Sequence, residues 1–245
     1  MKPSHSLKTL LAVLAVTSMF NPAAAESVRG VNPADIDSRF DVIGKRIRLE
    51  HGGHLDAITF KLDKKLHSNW GLNFELPTYS RLHTSGQAIE GNGDLYARAR
   101  WISPQGAWTY GLSLETVLPT ASRDALGTGR YQFNVGLLAA RAFSPTFLAA
   151  GVLRQISSAG GDSARAGFDN TETRLIPVWI LPQGWAISGE LRQTWEHRTH
   201  QSWQRVEGSL SKQLNVNLAI TGVLSRDFGD KPDRGAVTLA LKYFY

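Results

Sequence analysis

The chain reads as an all-β protein, a transmembrane antiparallel up-and-down β-barrel of 12 strands. Three observations predict it: apolar residues alternate with a period of two in a dozen short segments, the connections between segments alternate short and long, and aromatic residues gather beside the short connections. The last segment states the pattern most plainly. Val237, Leu239, Leu241, Tyr243 and Tyr245 fall on one face, and Ala236, Thr238, Ala240 and Lys242 on the other. A terminal strand of a soluble sandwich would alternate in the same way, so the rest of the chain decides.

The N-terminus supplies the address. Lys2 and Lys8 mark a basic region, Thr9 to Phe20 an apolar run, and Asn21-Pro22 precede Ala23-Ala24-Ala25. This is the layout of a secretory signal peptide, residues 1–25, cleaved before Glu26. The run is too short and wrongly flanked for a membrane helix. With no cysteine there is no acylated lipoprotein, no disulfide framework and no thiolate chemistry. The formal net charge is +6, or +4 once Lys2 and Lys8 are removed. Those charges interleave with apolar residues instead of forming runs, which argues against nucleic acid as a partner.

Residues 26–40 are polar and carry Asn32-Pro33-Ala34-Asp35; they read as a periplasmic lead-in to a barrel over 41–245. The strand segments are 41–51, 55–65, 70–79, 92–103, 107–118, 129–143, 146–158, 170–181, 184–196, 202–213, 215–226 and 234–245. Tight links join alternate pairs: His67-Ser68-Asn69, Pro104-Gln105-Gly106, Ser144-Pro145, Pro182-Gln183-Gly184 and Leu214-Asn215. Three of the opposite links are long and rich in Gly, Ser and Asp, although the first, His51 to His54, is short. An even strand number puts both termini on the short-turn side, where a chain exported through the periplasm would leave them. A final aromatic, Tyr245, resembles the C-terminal signature of bacterial outer-membrane barrels and implies recognition by the barrel-assembly machinery.

Aromatic placement gives an independent check. Trp70, Trp101, Trp108, Trp179, Trp185, Tyr243 and Tyr245 fall at the short-turn rim, as a membrane-interface girdle requires. Trp195, Trp203, Tyr79 and Tyr131 are expected in the opposite girdle. Alternation then assigns faces. Trp108, Tyr110, Leu112 and Leu114 point to lipid, as do Leu72, Phe74 and Leu76, Leu95, Ala97 and Ala99, and Ile187 and Leu191. The inward set is Arg46, Arg48, Glu50, Lys61, Asp63, Glu75, Arg98, Arg100, Glu115, Glu190, Arg192, Arg205 and Glu207. Segments 7 and 8 are ambiguous. A mid-membrane charge facing lipid costs about 2–4 kcal/mol, so Arg154 and Arg174 belong inside. Pro177 interrupts its segment and suggests a bulge.

Nothing in the chain marks an enzyme. Serines and His51, His54, His67, His83, His197 and His200 are present without a nucleophile motif. His197-Arg198-Thr199-His200 supplies too few ligands for a metal, and Asp162, Asp169, Asp227, Asp230 and Asp233 read as solvated loop acids. No catalytic residue, metal or cofactor is expected. The chemistry lies in the lumen, where Asp94, Arg98, Arg100, Glu115, Glu190 and Arg192 are the candidate lining residues, with Asp94 as a partner for the arginines. Mixed charges on neighbouring strands can select a polar solute or pair with one another and fill the barrel.

Gly91-Asn92-Gly93-Asp94-Leu95, running on to Arg98 and Arg100, resembles the "GxGDL…R" strand of an outer-membrane family named for the meta-pathway of phenol degradation. Leu118-Pro119-Thr120 and Leu126-Gly127-Thr128-Gly129-Arg130 are similar to that family's "PTG…LGTG" stretch, with Ala121 in place of the usual glycine, and Leu76-Pro77-Thr78 repeats the Leu-Pro-Thr. The resemblance implies passage of small hydrophobic or aromatic compounds across an outer membrane and defines no catalytic residues.

The expectation is therefore a porin-like barrel in the outer membrane of a Gram-negative cell, surrounded by outer-membrane lipid, that passes small organic solutes passively. The alternatives are a structural or adhesive barrel acting through loops 80–91, 119–128 and 159–169, an outer-membrane lipid-modifying enzyme, and a soluble lipid-binding sandwich.

Overall fold

A computed structural model describes residues 28–50, 52–84, 86–230 and 233–245, Asp233 by its backbone alone; the expected signal peptide lies outside the described residues. Thirteen strands follow one another: β1 (Arg39–Leu49), β2 (His54–Lys65), β3 (Trp70–Thr84), β4 (Gln87–Gly91), β5 (Leu95–Gln105), β6 (Trp108–Leu118), β7 (Arg130–Ser144), β8 (Phe147–Gly161), β9 (Asp169–Leu181), β10 (Trp185–Glu196), β11 (Gln201–Asn215), β12 (Leu218–Gly229) and β13 (Asp233–Phe244). Apart from β4 and β5, which both pair with β3, each strand pairs antiparallel with its sequence neighbours, and β1 pairs β13 from Arg39↔Phe244 to Leu49↔Asp233, so the sheet closes. Strands β4 and β5 share one place in the wall. The upper part of β3 pairs with β4, from Ser80↔Gly91 to Thr84↔Gln87, and the lower part with β5, from Trp70↔Trp101 to Glu75↔Tyr96. The wall is therefore a closed barrel of 12 strand positions.

Alternation builds the two faces. Leu112, Leu114, Phe133, Leu137, Leu191, Leu210, Leu224 and Leu239 stand exposed on the outside, while Asp41, Asp63, Asn73, Glu115, Glu172 and Asp227 are buried inside. This inverts the distribution of a water-soluble domain. At the end that carries both termini, Trp70, Trp101, Trp108, Trp185, Tyr243 and Tyr245 are exposed, and Trp179 stacks on Phe147, which stacks on Phe143. Trp195, Tyr79 and Tyr131 are exposed towards the other end. Trp203 departs from the expected girdle. It shares its face with Arg205 and lines the interior.

Three more expectations change. The stretch 80–91 is largely strand, because β3 and β4 extend the wall as a hairpin. Pro177 makes no bulge: Ser188↔Val178 and Leu191↔Leu175 keep one register across it, and only the ladder positions beside the proline are missing. Arg46, Arg48 and Glu50, expected inside, lie on the outer side. The phase of β1 is fixed by outward Phe40 and Val42, whose cross-strand mates Leu62 and Phe60 are also exposed. Two residues per repeat then carry Arg46 and Arg48 outward, and Lys45 takes the inward place.

Candidate functional site

The N-terminal segment sets one limit of the lumen. Residues 28–38, part of the expected periplasmic lead-in, pack into the mouth at the end where Arg39 pairs with Phe244. Ala34 is buried against inward Ala140 and Ala150, with Leu138 and Ile176 alongside. Arg29 lies over the Phe244 ring at 4.3 Å, the Lys242 ammonium donates to the Gly30 carbonyl at 3.1 Å, and Arg29 N–H donates to Gln213. Small inward residues on β7 and β8 make the space: larger side chains there would collide with the segment.

Arg100 holds this segment. Its guanidinium donates to the carbonyls of Pro33 (3.3 Å) and Asp35 (2.5 Å). Asp35 itself, with its carboxylate accepting from Asn32 at 2.7 Å, has its pKa raised above the ordinary 3.8, first by burial and then by neighbouring Asp37.

Above the segment lies a cavity of about 400 Å³ lined by Lys61, Glu75, Tyr96, Arg98, Arg100, Glu115, Arg154 and Arg174. Arg98 forms no ion pair or hydrogen bond among the described residues, and its Nε is buried without an acceptor. Its neighbours are committed elsewhere. Lys61 bridges Glu75 at 2.9 Å and Asp63 at 3.8 Å, and Arg39 bridges Asp41 at 3.1 Å and Asp63 at 2.8 Å.

A belt of ion pairs crosses the wall beyond that cavity. Arg154 joins Glu115 and, at 2.9 Å, Glu172. Glu172 also accepts from Arg174 at 2.6 Å and faces Arg192 at 3.8 Å, while Arg192 pairs with Glu190. The register sets Arg174, Arg192, Arg205 and Asp227 side by side across β9 to β12, and Arg205 grips Asp227 at 2.8 and 2.9 Å. A second cavity of about 280 Å³, lined by Glu172, Arg192, Trp203, Arg205 and Asp227, opens on the far side. Buried charges need such pairing, because an unpaired one carries its full desolvation cost.

The candidate residues thus divide. Arg98, Arg100 and Glu115 line the first cavity; Glu190 and Arg192 belong to the belt. Asp94 stands apart, and as a partner for the arginines it is corrected. It sits in the break between β4 and β5, and its carboxylate accepts from the amides of Ala121 (3.0 Å) and Thr128 (2.6 Å) and from the Thr128 hydroxyl (2.9 Å). Gly93 donates to the Pro77 carbonyl at 2.9 Å, and Asn92 donates to the Thr120 carbonyl at 3.0 Å. The motif stretches around Pro77, Asp94, Thr120 and Thr128 therefore meet in one knot that fastens the loop to the wall. Glu172 and Asp227 were not singled out as lumen residues from the sequence; Asp227, read as a loop acid, is buried in β12. On the outer wall, His54, Asp56 and His83 bring ligand atoms within 4.8 Å of one another, although Asp56 already binds Arg46 through both oxygens.

No protein-family model matches the chain, and no curated protein matches it. Solved structures do. An outer membrane channel from Pseudomonas putida F1 aligns over 92% of this chain and 100% of its own at 15% identity, with a TM-score of 0.69. The NanC porin (84% and 99%, 9% identity, TM-score 0.64) and the KdgM porin (84% and 99%, 9% identity, TM-score 0.59) also align. The likeness is one of fold. It extends over nearly the full length of each neighbour.

Proposed function

We propose that this chain is an outer-membrane barrel that passes small organic solutes passively, with anionic and aromatic compounds favoured. The observation that carries the reading is the 400 Å³ lumen cavity in which the Tyr96 ring, the unpaired Arg98 guanidinium and Arg100 converge. Its size suits one small molecule. Arg98 faces Glu115 across β5 and β6 without a direct bond, so its guanidinium keeps donors for an anion, and a phenol ring offers a face for an aromatic solute. The outer-membrane setting is supported by the exposed apolar belt, the aromatic residues beside the short turns and the channel and porin folds it resembles. Likeness of the Asp94 and Thr128 stretches to the phenol meta-pathway family points to the same class of solute. Tyr245, exposed at the end of the closing strand, is suited to recognition during assembly.

A structural barrel without a conductive pore is the second reading. The Glu115–Arg154–Glu172 belt and the segment held by Arg100 favour it, since both occupy the lumen. Planar-bilayer conductance with liposome swelling across aromatic, aliphatic and sugar solutes separates the two. A channel gives discrete conductance steps and swelling that favours the aromatic anions, and Arg98→Ala lowers that preference. Silent bilayers would leave the structural reading. A selectivity unchanged by both Arg98→Ala and Arg100→Ala would remove the proposed lining.

A further inference from the structure

Two arginines on the outer wall, Arg48 and Arg226, stand close together. The register places Arg48, Gly235 and Arg226 in one row across β1, β13 and β12, with Arg46, Val237 and Leu224 in the row below. Leu224 and Val237 are 65% and 56% exposed, so this face of the wall is the lipid-facing one. Arg46 is bound to Asp56 and Arg234 to Glu50 at 2.7 Å. Arg48 and Arg226 form no ion pair among the described residues; Arg226 lies over the Phe228 ring at 5.4 Å.

Between them is a slot. Gly235 has φ +142, and a Cβ there would come within 2.2 Å of the Ser225 carbonyl oxygen, so only glycine fits the position. A groove of about 940 Å³ beside it is bordered by Arg46, Arg48, Glu50, Arg226 and Arg234. Two strand spacings set the guanidinium-bearing backbones about 10 Å apart. The groove lies at the end of the barrel opposite the Arg39–Phe244 pair, beside Glu50 and Gly53. Charges on a lipid-facing wall are tolerated near the interface and not at mid-membrane, which fits this height.

We infer that the slot between Arg48 and Arg226 binds a phosphorylated lipid of the outer leaflet. The phosphate lies between the two guanidiniums, whose forked donors match its oxygens, and the acyl chains run down Leu224, Val237 and Leu239. Membrane lipid is favoured over a soluble anion because the arginines rise directly from that apolar surface. The inference rests on the outer-membrane reading above; membrane fractionation with heat-modifiable gel migration tests that reading separately.

The test is native mass spectrometry of the detergent-purified barrel with lipid A, with enzymatically dephosphorylated lipid A, and with inorganic phosphate as competitor. Lipid A is retained by the wild type, and the R48A/R226A double variant binds it about tenfold more weakly, as loss of charge-assisted hydrogen bonds implies. Arg141→Ala, at the opposite rim beside Trp108, leaves binding unchanged. Heat-modifiable migration of each variant reports that its barrel is folded, and the dephosphorylated lipid tests the slot in the unaltered protein. Equal retention of dephosphorylated lipid A, equal binding by folded R48A/R226A, or displacement by millimolar phosphate each overturns the assignment.

Discussion

Asp94 and Thr128 lie 34 positions apart and meet through two hydrogen bonds, from the Thr128 amide at 2.6 Å and its hydroxyl at 2.9 Å, both to Oδ2. The other carboxylate oxygen takes the Ala121 amide, so one side chain closes both ends of the loop after β6. A Cβ on Gly127 would come within 2.5 Å of Asp94 Oδ1, which ties the loop glycine to the same knot.

Asp94→Ala removes all three bonds. The expected result is a loss of about 1–3 kcal/mol in barrel stability and faster tryptic cleavage after Arg123. Asp94→Asn keeps a carbonyl oxygen and should fall between the two. Unchanged cleavage in Asp94→Ala would show that the loop is held by something else.

Glu172 accepts hydrogen bonds from Arg154 and Arg174 and faces Arg192 at 3.8 Å. Glu172→Gln leaves three guanidiniums around a neutral amide, and a drop of about 1–3 kcal/mol follows from the lost charge-assisted bonds. The excess positive charge also shifts the reversal potential in a salt gradient towards anions. A variant with wild-type melting and wild-type reversal potential would mean the belt is screened by lumen water and contributes little.

Much of this was legible from the chain because one face of every strand must meet lipid. Where alternation is clean, as in Trp108–Leu118, the inward and outward residues could be read directly. It failed where the pattern carries no phase. In β1, consecutive Lys45-Arg46 and the apolar Ile43, Ile47 and Leu49 allow either face, and only pairing with β2 and β13 settles it. Glu172 was hidden for a related reason: Ile176 and Val178 point inward to an apolar mouth, so the polar-inside rule breaks within β9. That mouth exists to receive residues 28–38, a long-range contact with no periodicity to announce it.

Removing residues 28–37 tests what that contact does. Ala34 would leave its seat against Ala140 and Ala150, and Arg100 would lose its carbonyl acceptors. Single-channel conductance should rise and the lumen arginines should become more accessible to anions. An unaltered conductance would place the narrowest point in the ion-pair belt instead.

Asp35 makes the same contact sensitive to pH. Burial raises its pKa from the ordinary 3.8, Asp37 adds to the effect, and Arg100, Asn32 and Arg39 oppose it. In the docked segment the carboxyl therefore holds its proton to a higher pH than in a released one. Between 3.8 and the raised value the docked state binds more protons, so docking weakens as pH climbs through that window and strengthens on acidification. Below 3.8 both states are protonated and the dependence ends. Conductance should fall as the pH drops from neutral into the window. Asp35→Asn, neutral at every pH, should dock firmly throughout and give a low conductance without that step. A step of the same size in Asp35→Asn would assign the titration to another group.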